Sequence, residues 1–106
     1  VITGPRGTGK TTKLLTEISV EYENPTVVCR DPRHMIEKAF TMGINNIKFI
    51  TTDDLLSCGI QAYTDLFFDD IDEFIYGDIM KQVDDIDDFL VDLFGADNVK
   101  GYTTII

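Results

Sequence analysis

The chain has 106 residues, 43% of them hydrophobic, and a formal net charge of −10. This is the size of one domain with a core, and no apolar run approaches the roughly 18 residues that span a bilayer. The two cysteines, Cys29 and Cys58, lack C-x-x-C spacing. We therefore expect them to be buried, reduced thiols and not a disulfide or a metal site. We therefore expect one soluble, cytoplasmic domain over residues 1–106 with no membrane partner.

The charge is divided unevenly along the chain. Residues 1–52 sum to about +2 and residues 53–106 to about −12. Because an acidic surface repels phosphate backbones, strong binding of nucleic acid by this domain alone is not expected. The chain starts without methionine and ends inside the apolar run 103–106, which is compatible with trimming at both ends from a larger protein.

The first half of the chain predicts alternating strands and helices. A strand is expected over 1–3, a helix over 10–22, a strand over 26–29 and a further strand over 47–51, from their apolar spacing. A second helix should begin with Asp31 as its N-cap and Pro32 in its first turn, and Gly43 should end it. The residues expected on its buried face are Met35, Ile36, Ala39, Phe40 and Met42.

The second half continues this alternation. A short helix is expected over 53–58, a fourth strand over 66–69, a long helix over 78–94 and a last strand over 99–106. Strands alternating with helices predict an α/β fold, a three-layer α/β/α sandwich with a mainly parallel five-stranded sheet.

The stretch Gly4–Thr12, GPRGTGKTT, fits the phosphate-binding pattern G-x-x-x-x-G-K-[ST]. Glycines let the backbone turn its N–H groups around an anion, and a helix starting near Lys10 points its positive dipole end at the same place. We expect Lys10 to neutralise the phosphates of a nucleotide and Thr11 to bind Mg²⁺. The expected nucleotide contacts in this loop are Gly4, Pro5, Arg6, Gly7, Thr8, Gly9, Lys10, Thr11 and Thr12.

A second group of candidate residues follows the later strands. Asp69 ends the apolar run of the fourth strand, 59 positions after Lys10, and is expected to hold Mg²⁺. Asp70 is the candidate general base that orients water, with Glu73 as its substitute. Ligands bind at the carboxyl ends of such strands, so we expect Thr103 and Thr104 on the last strand to lie near the terminal phosphate. Beside these readings, the acids also fit solvated or helix-capping roles, and Thr103 fits an ordinary strand residue.

The motifs together resemble the P-loop NTPase superfamily, in the division whose Walker B strand is separated from the loop strand. The loop resembles the AAA-type sequence GPPGTGKT, with Arg6 in place of the second proline. Residues 69–72, DDID, resemble the D-E-x-D box of helicase-like ATPases, with Asp70 where those proteins place Glu. Residues 68–74 also resemble the D-E-x-Q-F segment of thymidine kinases.

This resemblance implies a P-loop NTPase fold that binds ATP and Mg²⁺ and hydrolyses ATP. The shorter Asp70 either serves as general base after a small shift or leaves hydrolysis slow. A role in nucleic-acid transactions follows by family analogy alone, and oligomerisation stays open. Two alternatives are a nucleoside or nucleotide kinase of the thymidine-kinase type, and a nucleotide-binding module that controls assembly without hydrolysis.

Overall fold

The computed structural model describes residues 2–4, 9–73 and 85–104, and side chains throughout these ranges except those of Glu73, Ile86, Asp87 and Leu90. The strands are β1 Ile2–Thr3, β2 Thr26–Val28, β3 Lys48–Ile50, β4 Leu66–Phe68 and β5 Val99–Thr104. The helices are α1 Lys10–Glu21, α2 Pro32–Thr41, α3 Thr52–Cys58, α4 Ile71–Glu73 and α5 Ile86–Gly95. A 3₁₀ turn, Ile60–Ala62, precedes β4.

The described strands form one five-stranded sheet in the order β1-β5-β4-β2-β3, and every neighbouring pair is parallel. β5 therefore lies between β1 and β4, so the strand before the glycine-rich loop and the strand before Asp69 are separated, as the resemblance implied. Parallel pairing brings all the carboxyl ends to one edge of the sheet. That edge carries the candidate site.

Helices pack on both faces of this sheet, which is compatible with the expected three-layer arrangement. Because strand side chains alternate between faces, neighbours on one strand enter different cores. Val27 and Phe67 join the core beneath α1 and α2, whereas Val28 and Phe68 join the core beneath α3 and α5. Burial on both sides explains why β2 and β4 are continuous apolar runs.

Local capping sets several helix boundaries where the sequence predicts them. The Asp31 carboxylate accepts a hydrogen bond from the His34 N–H at the start of α2, and Gly43 follows that helix with φ 76°. α3 begins with a reciprocal pair, in which Thr51 Oγ1 accepts from the Asp54 N–H and Asp54 accepts from the Thr51 N–H. The bonds from Thr51 lower the pKa of the Asp54 carboxyl.

Three expectations were wrong. Ile36 and Phe40 are 53% and 84% exposed, because the buried stripe of α2 is narrower than its apolar spacing suggests. The helix expected over 78–94 does not run through Asp85, which is extended and caps α5 by accepting from the Asp88 N–H. Cys58 is exposed, although both cysteines are free thiols as expected.

Several expected segments lie wholly or partly outside the described residues. They are Val1 of the first strand, residues 78–84 of the long helix and residues 105–106 of the last strand.

Candidate functional site

The first turn of α1 and Asp69 meet at the carboxyl edge of the sheet. Thr11 Oγ1, in the first turn of α1, donates a hydrogen bond of 2.8 Å to Asp69 Oδ1 across 58 positions of sequence. Both groups are partly buried. The two residues expected to share a magnesium ion are thus in direct contact.

Thr103 holds the same carboxylate from the neighbouring strand. Its side chain is completely buried, and Oγ1 donates to Asp69 Oδ1 at 3.2 Å. The same hydroxyl accepts the Asp70 N–H at 2.6 Å. A hydroxyl has one hydrogen and two lone pairs, so both bonds can form together. Thr103 therefore fixes both Asp69 and the backbone of Asp70.

The backbone turns sharply at Asp70, where φ is 58°. This left-handed conformation costs a non-glycine residue about 1–2 kcal/mol, although aspartate adopts it more readily than most residues. The Thr103 bond offsets part of that cost. The turn leads directly into α4, so it sets how the half-buried Asp70 and the start of that helix sit beside β5.

Two further contacts of Thr104 connect β5 to Asp72, in α4, and to Gly4. Thr104 Oγ1 donates to Asp72 Oδ2 at 2.6 Å, and the Thr104 carbonyl accepts the Gly4 N–H at 3.2 Å. The sequence placed Thr104 near the terminal phosphate but did not predict its contact with Asp72. The signal was present as two consecutive threonines at the end of one strand, whose side chains point to opposite faces of the sheet.

Only part of the phosphate-binding pattern can be placed. Gly4 is buried, Lys10 is half-buried and Thr12 is exposed. Gly9 precedes α1 with φ 75°, a conformation that glycine adopts without strain. The loop residues outside the described part are Pro5, Arg6, Gly7 and Thr8. The side chain of Glu73 lies outside it too, while its backbone ends α4.

Cys29 lies beside the site and was not expected there. Burial, followed by the negative charges of Asp69 and Asp31, raises the pKa of its thiol to about 12. The thiol contacts the Ile50 carbonyl at 3.7 Å. Cys29 is therefore a protonated, neutral group beside Asp69 at physiological pH.

The donor set suits a hard cation held mainly by other ligands. Within residues 2–4, 9–73 and 85–104, no cluster of three or more His, Cys, Asp or Glu residues could hold a metal. Mg²⁺ needs no such cluster, because it keeps several waters and takes only one or two protein oxygens beside substrate phosphates. The Thr11 hydroxyl and Asp69 carboxylate are oxygen ligands of this kind, so they fit Mg²⁺.

Comparisons with protein-family models, with curated proteins and with solved structures gave no match. None of the helices in the described part of the chain is long and apolar enough to cross a membrane.

Proposed function

We propose that this chain is a P-loop NTPase domain that binds ATP with Mg²⁺ and hydrolyses it. The observation that carries the proposal is the 2.8 Å hydrogen bond between Thr11 and Asp69. It joins the helix that follows the glycine-rich loop to the acid that follows an apolar strand. Placing β5 between these two strands agrees with the strand separation that the resemblance implies.

In this proposal each residue of the site has a distinct task. Lys10 neutralises charge on the terminal phosphates, and the backbone N–H groups of residues 7–12 bind their oxygens. Thr11 and Asp69 hold Mg²⁺, which when bound offsets the charge that develops on the transferred phosphoryl group. Catalysis then depends on position and electrostatics more than on covalent chemistry.

Asp70 is the proposed water-orienting residue, with Glu73 as the alternative. The carboxylate of Asp70 is one methylene shorter than the glutamate usual at this place, but its backbone is held by Thr103. A fixed backbone limits the search of a short side chain, which favours a defined although slow reaction.

Phosphate release from Mg²⁺–ATP by the purified chain tests the proposal. Lys10→Ala should lower the rate at least about 100-fold, because it removes the cation that acts on the phosphates. Asp69→Asn should do the same, because it removes the carboxylate charge that would hold Mg²⁺. Lys13→Ala is the matched control, an exposed lysine on the same helix, and should keep the rate within about twofold. Activity that survives Lys10→Ala would overturn the site assignment.

Additional arms of this assay separate the other two readings. Phosphoryl transfer to an added nucleoside, with little release to water, would favour a kinase. Bound ATP that stays intact through a long incubation would favour a nucleotide-binding module without hydrolysis. Single-stranded DNA and RNA are added separately, because a role with nucleic acid rests on analogy alone.

A further inference from the structure

A large apolar side chain projects from α2. Phe40 is 84% exposed, and Ile36, one turn before it, is 53% exposed. Arg33 is also exposed and follows the spacing of three and four that places residues on one side of a helix. The outer side of α2 therefore carries an aromatic projection with a cation seven positions, or about two turns, before it.

A recess of suitable chemistry lies beside α5. An open groove of about 430 Å³ runs between α5 and the 3₁₀ turn before β4. Its apolar wall includes Val91, itself 72% exposed. Asp92 supplies a carboxylate at the same place. The residues that line the groove are Ile60, Gln61, Val91, Asp92, Gly95 and Ala96.

The projection and the recess belong to opposite faces of the sheet. Met35 anchors α2 in the core that contains Val27, whereas Leu93 anchors α5 in the core that contains Phe68. Because the projection and the groove lie on opposite faces, one pair of copies cannot form both contacts at once. Contact between them on separate copies would therefore run head to tail.

We propose that the groove beside α5 receives Phe40 of a second copy of this chain, with Arg33 of that copy facing Asp92. A second copy is the occupant that the chain itself supplies, because both halves of the contact occur on it. The charges agree, since Asp85 and α5 together carry four aspartates and no basic residue while α2 carries Arg33 and Lys38 against Glu37.

The physical reason is burial of apolar surface. Removing an exposed phenylalanine from water favours association. Because the projection and the recess lie at different places on the molecule, each bound pair leaves one projection and one recess open to further copies. One such contact is small, so the association should be weak and concentration-dependent. This inference does not rest on ATP hydrolysis, because α2's outer side and the groove contain none of the proposed catalytic residues.

Sedimentation of the whole chain from about 1 μM to about 1 mM, at about 0.15 M salt to screen the net charge, tests the proposal. The unsubstituted chain should form dimers and longer species as concentration rises. Phe40→Glu and Val91→Glu should each raise the dissociation constant at least about tenfold, because each places a charge in the apolar contact. Val20→Glu is the matched control, since Val20 is 84% exposed on α1, and should change it less than about twofold.

Mixing the two weakened variants gives the decisive result. The Phe40→Glu copy keeps an intact groove, and the Val91→Glu copy keeps an intact Phe40, so the mixture should form a one-to-one dimer that cannot extend. Its dissociation constant should lie within about threefold of the unsubstituted contact. A chain that stays monomeric to about 1 mM, variants that behave like Val20→Glu, or a mixture without dimer would each overturn the proposal.

Discussion

The two ends of the sheet use polar side chains in different ways. At the carboxyl end, Thr11 and Thr103 donate to the carboxylate of Asp69. At the amino end, the Asn46 amide donates to the carbonyls of Ser19, Tyr22 and Glu23 at the end of α1, and the Asn98 amide to those of Ile60 and Tyr63. The carboxyl end includes bonds between two side chains, whereas the bonds named at the amino end all run from a side chain to the backbone.

This difference separates a site from a scaffold. Bonds between two side chains are about 10–15% of protein hydrogen bonds, whereas bonds from side chain to backbone commonly satisfy helix ends and turns. The two asparagine amides donate to backbone carbonyls that would otherwise lack these donors. The threonines instead orient an acid that can still ligate a cation. Changes at the carboxyl end should therefore affect activity, and changes at the amino end should affect stability.

The largest expected effect tests whether solvent is excluded from the Cys29 thiol beside Asp69. Raising the pKa of Cys29 from 9.0 to about 12 lowers its thiolate fraction at pH 8 by about 1000-fold, and burial slows reaction further. With a thiol reagent at pH 8, exposed Cys58 should react quickly and Cys29 at least about 1000-fold more slowly.

The Cys58→Ser variant reports Cys29 alone, and denaturant should make that thiol react at once. Fast labelling of Cys29 in the folded variant would mean that solvent reaches the space beside Asp69, so that the site is open on that side.

A smaller effect is expected from Thr103→Val, which removes the hydroxyl shared by Asp69 and Asp70. We expect kcat for ATP to fall about 10- to 100-fold, as for residues that orient metal ligands, while KM changes less than about threefold. Thr103→Ser keeps the hydroxyl and should recover most of the rate. The readouts are steady-state kinetics and thermal unfolding of all three proteins.

Equal losses for valine and serine would mean that the hydroxyl alone does not explain the effect, because serine keeps the hydroxyl and valine keeps the methyl group. A loss of stability with unchanged kcat would make Thr103 part of the scaffold.

The smallest expected effect lies at the amino end. Asn46→Ala leaves three backbone carbonyls without their amide donor and should lower the free energy of unfolding by about 2 kcal/mol, or about 30-fold in the folding equilibrium. Asn45→Ala is the control, because Asn45 is exposed, and should cost less than about 0.5 kcal/mol.

Urea denaturation measures both variants. The activity of folded Asn46→Ala should stay within about twofold of the unsubstituted chain. A selective loss of activity would mean that Asn46, at the amino end of the sheet, affects the site at the carboxyl end.

Local chemistry explains which parts of the fold could be predicted from sequence. Asp31 followed by Pro32 predicts the start of α2 because both act within one helical turn. The same local reasoning was wrong at Asp85, because apolar residues at helical spacing lie on both sides of it in the sequence. Its side chain bonds the Asp88 N–H, so α5 begins there instead of passing through.

Exposure of α2 was decided by neighbours that are distant in sequence. Periodicity shows that Ile36 and Phe40 lie near the buried stripe, but the width of the surface that covers the stripe depends on where α1 and the sheet lie. In this fold the cover reaches Met35 and Ala39 and stops before Phe40.

For the candidate site, the sequence alone determined which residue types are available and which end of the sheet they occupy. The glycine spacing, Lys10-Thr11 and an acid after an apolar strand are local patterns, and parallel strands bring their carboxyl ends together. Only the tertiary structure decided that Thr11 and Thr103 share one oxygen of Asp69 and that Thr104 reaches Asp72. These contacts join segments 32 to 58 positions apart, and their distances depend on strand order and register, which no local pattern encodes.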